Sequence, residues 1–192
     1  MAKTTRTFRL KKRQYKLLIT LIAFTIILVS SRFNPQTKKA VMGASTNEYQ
    51  VINVEDGDTI TVLMNGEKET VRFIGVDTPE TKDPRKQVQC FGKVASAFTK
   101  SKLNGATVRL ETDPLSTNRD RYDRLLRYVY KQDELVNAEL IKQGYGFAVR
   151  AFPFTKMEEF VGYEKSAENS NAGLWGSCEV QELDSGQKQT NS

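Results

Sequence analysis

Asn65-Gly66 falls between two runs of strand-forming residues, 59–64 and 69–76. An Asn-Gly pair accepts two positive φ angles at little cost, which is what the tightest hairpin turn demands. The surrounding chain is thereby committed to antiparallel pairing. A further β-branched run, residues 51–54, precedes the hairpin and is broken from it by Asp56-Gly57. Three consecutive strands result. In the third, alternation puts Val71, Phe73 and Gly75 on one face and Arg72 and Ile74 on the other.

Downstream the period changes. Phe91, Val94/Ala95 and Phe98 recur at helical spacing and predict a helix over 91–103. Residues 107–111 and 125–130 read as strands on either side of the polar stretch 114–123. A second helix over 135–143 stops at Gly144, and 147–149 return to the sheet. A last helix, 156–170, places Met157, Phe160, Val161, Glu164 and Ala167 on one face. The order is three strands, helix, two strands, two helices. That plan suits an α+β fold, a five-stranded Greek-key barrel of the OB type with three packed helices.

The formal charge of +6 is unevenly distributed. Residues 1–44 hold ten of the 29 Lys/Arg and none of the 23 Asp/Glu, leaving 19 basic against 23 acidic groups beyond them. The rest of the chain is therefore net −4, and any polyanion site in it must be a local cluster of positive groups. The arm itself has the plan of an export signal: a basic flank from Lys3 to Lys16, then a 13-residue apolar run, 17–29. A bilayer span needs about 20 residues, so the run suits a signal-peptide core, with an uncleaved anchor as the other possibility. Residues 1–31 are thus signal or anchor, 32–47 a linker, 48–178 the folded domain, and 179–192 a disordered polar tail. The expected location is secreted or on the outer face of the cytoplasmic membrane, the N-terminal segment being the sole membrane contact. In an oxidising compartment, Cys90 and Cys178 fit either one disulfide or two buried thiols.

The chain contains no histidine. This excludes histidine general bases, Ser-His and Cys-His nucleophiles, and histidine metal sites. Three polar clusters remain at strand ends: Asp56-Gly57-Asp58-Thr59; Arg72 with Asp77-Thr78-Pro79-Glu80; and Arg119-Asp120-Arg121-Tyr122-Asp123-Arg124. Asp58 and Asp77 offer hard oxygen ligands suited to Ca²⁺. The arginines offer planar forks matched to phosphate oxygens. Taken singly, each cluster is also an ordinary turn, helix start or solvated loop.

In their order, Asp56-Gly57-Asp58-Thr59, then Val71-Arg72-Phe73-Ile74-Gly75-Val76-Asp77-Thr78-Pro79-Glu80-Thr81-Lys82, then Asp120-Arg121-Tyr122-Asp123-Arg124-Leu125-Leu126, then Val136-Asn137-Ala138-Glu139-Leu140 resemble the staphylococcal nuclease (thermonuclease) family. The resemblance spans about residues 49–175. It implies a Ca²⁺-dependent hydrolase of DNA and RNA that cleaves the 5′ P–O bond and leaves 3′-phosphates. It also implies Asp58, Asp77 and the Thr78 carbonyl as ligands, with Asp56 behind them. Glu80 matches the general base, Arg72 and Arg124 the pair gripping the scissile phosphate, and Arg121 and Tyr122 the contacts to a terminal phosphate.

Three positions depart from the family pattern. Arg150 and Phe152 stand where a pair of tyrosines is common, so Phe152 is left to stack on a base and Arg150 to add charge. Asp123 replaces a glycine and is expected to set a negative charge beside Arg124. The competing reading is a non-catalytic OB-type module that binds nucleic acid or another partner. Such a module has no use for the complete Arg72, Glu80 and Arg124 set. The domain is expected to act as a monomer.

Overall fold

The computed structural model describes residues 47–81 and 87–192. The expected signal or anchor, and all but the end of the linker, lie outside the described residues.

The Asn65-Gly66 turn forms as expected, with φ of 53° and 87°. It joins β2 (Thr59–Met64) to β3 (Glu67–Phe73) in unbroken antiparallel register, Met64 opposite Glu67 and Thr59 opposite Arg72. β1 (Glu48–Asp56) runs beside β2, with register shifts between Val51 and Asn53 and between Val54 and Asp56. Bulges of this kind bend a strand and increase its twist. The bend lets β1 pair with β2 at one end and with β5 (Thr107–Glu111) at the other. β5 pairs with β6 (Leu125–Lys131), and β6 returns to β3 in parallel, Val71 opposite Leu125 and Phe73 opposite Arg127. The five strands β1, β2, β3, β5 and β6 therefore close into a barrel, as predicted. Closure leaves the edge-exposed hydrogen-bonding groups few.

The barrel interior is filled by Val51, Ile60, Val62, Val71, Phe73, Val108, Leu110 and Val129, all essentially inaccessible to water. Around it lie α1 (Gly92–Leu103), α2 (Val136–Lys142) and α3 (Met157–Asn169), the three expected helices. Asn137, on α2, is fully buried and works as a clasp. Its Oδ1 accepts from Val129 N–H at 2.9 Å, while its Nδ2 donates to Ile74 O at 2.9 Å and Arg127 O at 3.2 Å. One side chain thus holds the end of β3, the middle of β6 and a helix.

Three expectations are corrected. The alternation assigned to 69–76 ends at Phe73, because the chain turns at Gly75 with φ of 77°. Ile74 is consequently buried rather than opposed to Phe73, and Val76 enters a short strand β4 (Val76–Asp77). A Cβ on Gly75 would lie 2.6 Å from the Phe154 ring, so both conformation and space demand glycine there. On α1 the buried face is Ala95, Thr99 and Leu103, and Val94 is exposed, because Phe91 sits outside the helix in a left-handed cap and stacks on Tyr145 instead.

The third correction concerns the tail. Residues after Cys178 form a hairpin of β9 (Val180–Glu182) and β10 (Lys188–Thr190), following the short helix α4 (Leu174–Ser177). Short β7 (Glu134–Leu135) pairs with β6, and β8 (Phe147–Ala148) with β4. Composition argued for disorder, but anchors outside the tail hold it. Cys90 and Cys178 are disulfide-bonded with Cα atoms 5.9 Å apart. Cys90 N–H donates to Asn191 O at 2.7 Å, and the Thr190 hydroxyl donates to Cys90 O at 2.8 Å.

Two outcomes follow for stability. The bridge closes a loop with a sequence separation of 88 residues, so replacing both cysteines with serine should cost about 2–5 kcal/mol in denaturant unfolding. Asn137→Ala would orphan the buried Val129 N–H and take the clasp from the Ile74 carbonyl, while Arg127 O keeps its bond from Ile74 N–H, and should cost about 2–4 kcal/mol. A loss under 1 kcal/mol would show that the clasp is dispensable.

Candidate active site

The closed barrel brings separate strand ends together. Asp58 lies in the turn from β1 to β2, Arg72 near the end of β3, Asp77 on β4, and Arg124 immediately before β6. Arg72 pairs across to Thr59 on one side and to Leu126 on the other. The residues sequence reasoning grouped from three distant clusters therefore share one rim of the barrel.

Arg72 is the hub. Its Nη1 lies 3.1 Å from Asp58 Oδ2 and donates to Val76 O at 2.7 Å. Its Nη2 donates to Asp77 Oδ1 at 2.6 Å. Burial works against the guanidinium charge, but Asp58 and Asp77 outweigh it and raise the Arg72 pKa above the ordinary arginine value. Asp120 also acts on it electrostatically, which puts the Arg124 loop within reach.

Asp58 is nearly buried and well held. Its Oδ2 accepts from both the N–H and the hydroxyl of Thr78, at 2.8 and 3.0 Å, and its Oδ1 accepts from the Thr59 hydroxyl at 2.9 Å. The close approach requires Gly57, where a Cβ would stand 2.7 Å from Thr78 Oγ1. Burial raises the Asp77 pKa; Arg72 opposes this, while Asp58 and Glu80 reinforce it. Asp56 is likewise raised, first by burial, with Asp58 and Glu80 adding to it. Crowded carboxylates of this kind are relieved by a bound cation. No group of three or more carboxylate or thiolate side chains forms a ready-made metal cage among the described residues. The candidate donors, Asp58, Asp77 and the Thr78 carbonyl, are all oxygen, which fits Ca²⁺ and excludes a soft-metal site.

Glu80 is placed by its backbone. Its N–H donates to Gln89 Oε1 at 2.7 Å and its carbonyl accepts from Gln89 N–H at 3.0 Å. Next to it, the Thr81 hydroxyl donates to Asp56 Oδ1 at 2.8 Å. Asp56 thus anchors the segment carrying Glu80. Gly92 lets that segment rest on the start of α1, since a Cβ there would be 2.9 Å from Pro79 O and 3.1 Å from Glu80 O.

Arg124 is oriented by Asp120. Its Nε donates to Asp120 Oδ2 at 2.7 Å, and its own N–H and that of Tyr122 donate to Oδ1. Partial burial works to raise the Asp120 pKa, and these bonds from Arg124 and Tyr122 more than reverse it. Tyr122 stands 64% exposed, with the Arg121 and Arg124 guanidinium carbons 4.8 and 5.3 Å from its ring centre. Arg121, Tyr122 and Arg124 thus form one cationic, aromatic edge.

Two sequence readings need adjustment. Asp123 adopts φ of 65°, which explains why glycine suits that position. Its carboxylate lies 3.6 Å from Arg119, and Arg119 also forks onto Glu69, so its charge is directed away from Arg124. Arg150 is ion-paired with the buried Glu164, which also accepts from Ala148 N–H at 3.0 Å. Its charge is answered inside the protein. Phe152, beside it, is 71% exposed and presents an open aromatic face.

Sequence reasoning missed Gln89, Gly92, Thr81 and Asp120 as supports. Only Asp120 had a visible signal, standing four residues before an arginine in a charged run.

Comparison with known proteins gives a consistent picture. The family described as "Staphylococcal nuclease homologue" matches residues 70–177. The chain is 38% identical to a thermonuclease of Staphylococcus hyicus, over 82% of this chain and 95% of that one. It is 38% identical to a thermonuclease of Staphylococcus intermedius, over 86% and 99%. It is also 38% identical to endonuclease YncB of Bacillus subtilis (strain 168), over 76% and 72%.

Arg72→Lys tests the hub. One ammonium cannot satisfy Asp58, Asp77 and Val76 O in place of a rigid fork. The variant should fold but lose about 1–3 kcal/mol in denaturant titration, consistent with a partly buried charge cluster losing a partner. Unchanged stability would show that the carboxylates do not depend on Arg72.

Proposed function

The chain belongs to the staphylococcal nuclease homologue family, and from that membership we infer that it is a nuclease, an exported Ca²⁺-dependent endonuclease that hydrolyses DNA and RNA. The observation that carries the reading is the meeting of Arg72, the Asp58–Asp77 carboxylate pair, Glu80 and the Asp120-held Arg124 on one rim of the barrel. A non-catalytic binding module needs no such assembly.

In this reading Arg72 and Arg124 bind the non-bridging oxygens of the scissile phosphate. Water attacks phosphorus, the new O–P bond forms in line, and the 5′ P–O bond breaks, leaving a 3′-phosphate while the departing 5′-oxygen takes a proton from solvent to become a hydroxyl. Glu80 orients that water and takes its proton. Negative charge grows on the phosphoryl oxygens, and fixed guanidinium groups answer it without reorganising. Asp58, Asp77 and the Thr78 carbonyl would hold Ca²⁺, which would supply further positive charge at the reacting phosphate. Arg121 and Tyr122 lie beside Arg124 and suit a terminal phosphate, and Phe152 offers a surface for a base.

Export is supported by the basic flank and apolar run of residues 1–31. The Cys90–Cys178 bridge suits the oxidising side of a membrane, whether the N-terminal segment is cleaved or retained.

The purified protein should degrade single- and double-stranded DNA with Ca²⁺ and lose that activity in chelator. Glu80→Ser and Arg124→Ala should each reduce kcat at least 100-fold with folding retained. Ca²⁺-independent cleavage, or full activity in Glu80→Ser, would overturn the mechanism. No cleavage at all would favour the binding module.

A further inference from the structure

The turn between β9 and β10 reaches the carboxylates of the rim. Gln187 donates its side-chain amide to Asp77 Oδ2 at 3.0 Å, across 110 residues of sequence. The other oxygen of the same carboxylate, Oδ1, is held by Arg72 at 2.6 Å. Gln187 is itself exposed, but its neighbour is well anchored. Lys188 lies 3.4 Å from the buried Glu164 and 4.8 Å from the centre of the Trp175 ring.

We propose that Gln187 is a positioning residue for the cation site, setting the Asp77 carboxylate so that the C-terminal hairpin completes that site. The proposal rests on the Ca²⁺ reading given above. A carboxylate beside an arginine is drawn toward a two-pronged fork that engages both oxygens. The Gln187 amide holds Oδ2 out of that fork. Each oxygen accepts one hydrogen bond in this arrangement and keeps a second lone pair for a cation. The amide is also neutral, so it restrains Asp77 without placing positive charge where a dication must sit. Partners behind metal-binding carboxylates commonly control affinity in this way.

Substitutions in the otherwise intact chain, read by calorimetric Ca²⁺ titration and by unfolding in chelator, separate the possibilities. Gln187→Ala should weaken Ca²⁺ binding about tenfold with little change in the metal-free unfolding midpoint. Gln187→Lys keeps a donor to Asp77 and so keeps the hairpin docked, yet should bind Ca²⁺ still more weakly. Wild-type affinity in Gln187→Lys would mean that the contact only fastens the hairpin, and the proposal fails. Asp77→Asn distinguishes the underlying reading. If it abolishes binding while both Gln187 variants bind normally, the cation site stands and Gln187 has no part in it. If Asp77→Asn binds Ca²⁺ like wild type, the cation site is elsewhere and the role of Gln187 falls with it.

Discussion

A guanidinium shared between two carboxylates organises this molecule's working end. Arg72 cannot be moved alone, because Asp58, Asp77 and the Val76 carbonyl all lean on it. Asp58 in turn fixes Thr78, and Thr78 requires the bare backbone of Gly57. The turn from β1 to β2 and the exit from β3 are thus locked to one another through charge and close contact. A partly buried ion cluster adds little net stability, since desolvation offsets attraction. Its contribution here is to geometry. It holds negative oxygens at fixed places beside a permanently positive fork.

The electrostatic plan is local. Residues 45–192 carry a net −4, so the overall charge offers a polyanion no attraction, and beyond a Debye length, roughly 8 Å at physiological salt, it is screened in any case. On the proposed function, capture rests on the local edge formed by Arg121, Tyr122 and Arg124 and on the charge balance between Asp58 and Asp77. Arg150 illustrates the other use of a cation. Buried Glu164 engages it, so it braces the segment that displays Phe152.

How legible was this in the sequence? The barrel was, because Asn65-Gly66 and the β-branched runs speak through local backbone preference. The meeting of the three charged clusters at one rim was too, because strand ends bearing unlike charges in a fixed order matched a known family pattern. What failed were features set by distant partners. The alternation through Ile74 ignored the turn that Gly75 and the Phe154 ring impose together. Val94 was placed inside because Phe91 was counted as helical, whereas its stacking on Tyr145 holds it outside. The tail looked disordered because polar composition says nothing of a disulfide to Cys90 or of a backbone partner at Asn191. Likewise, Gln89, Thr81 and Gly92 support Glu80 through backbone contacts that have no sequence signature.

The parallel pairing of β3 with β6 has a kinetic meaning. Val71 meets Leu125 only after a long intervening loop has been closed, and such contacts are entropically slow to make. Closure is also the event that carries Arg72 and Arg124 to the same rim. Until that pairing is made, the proposed site has no single surface on which to form.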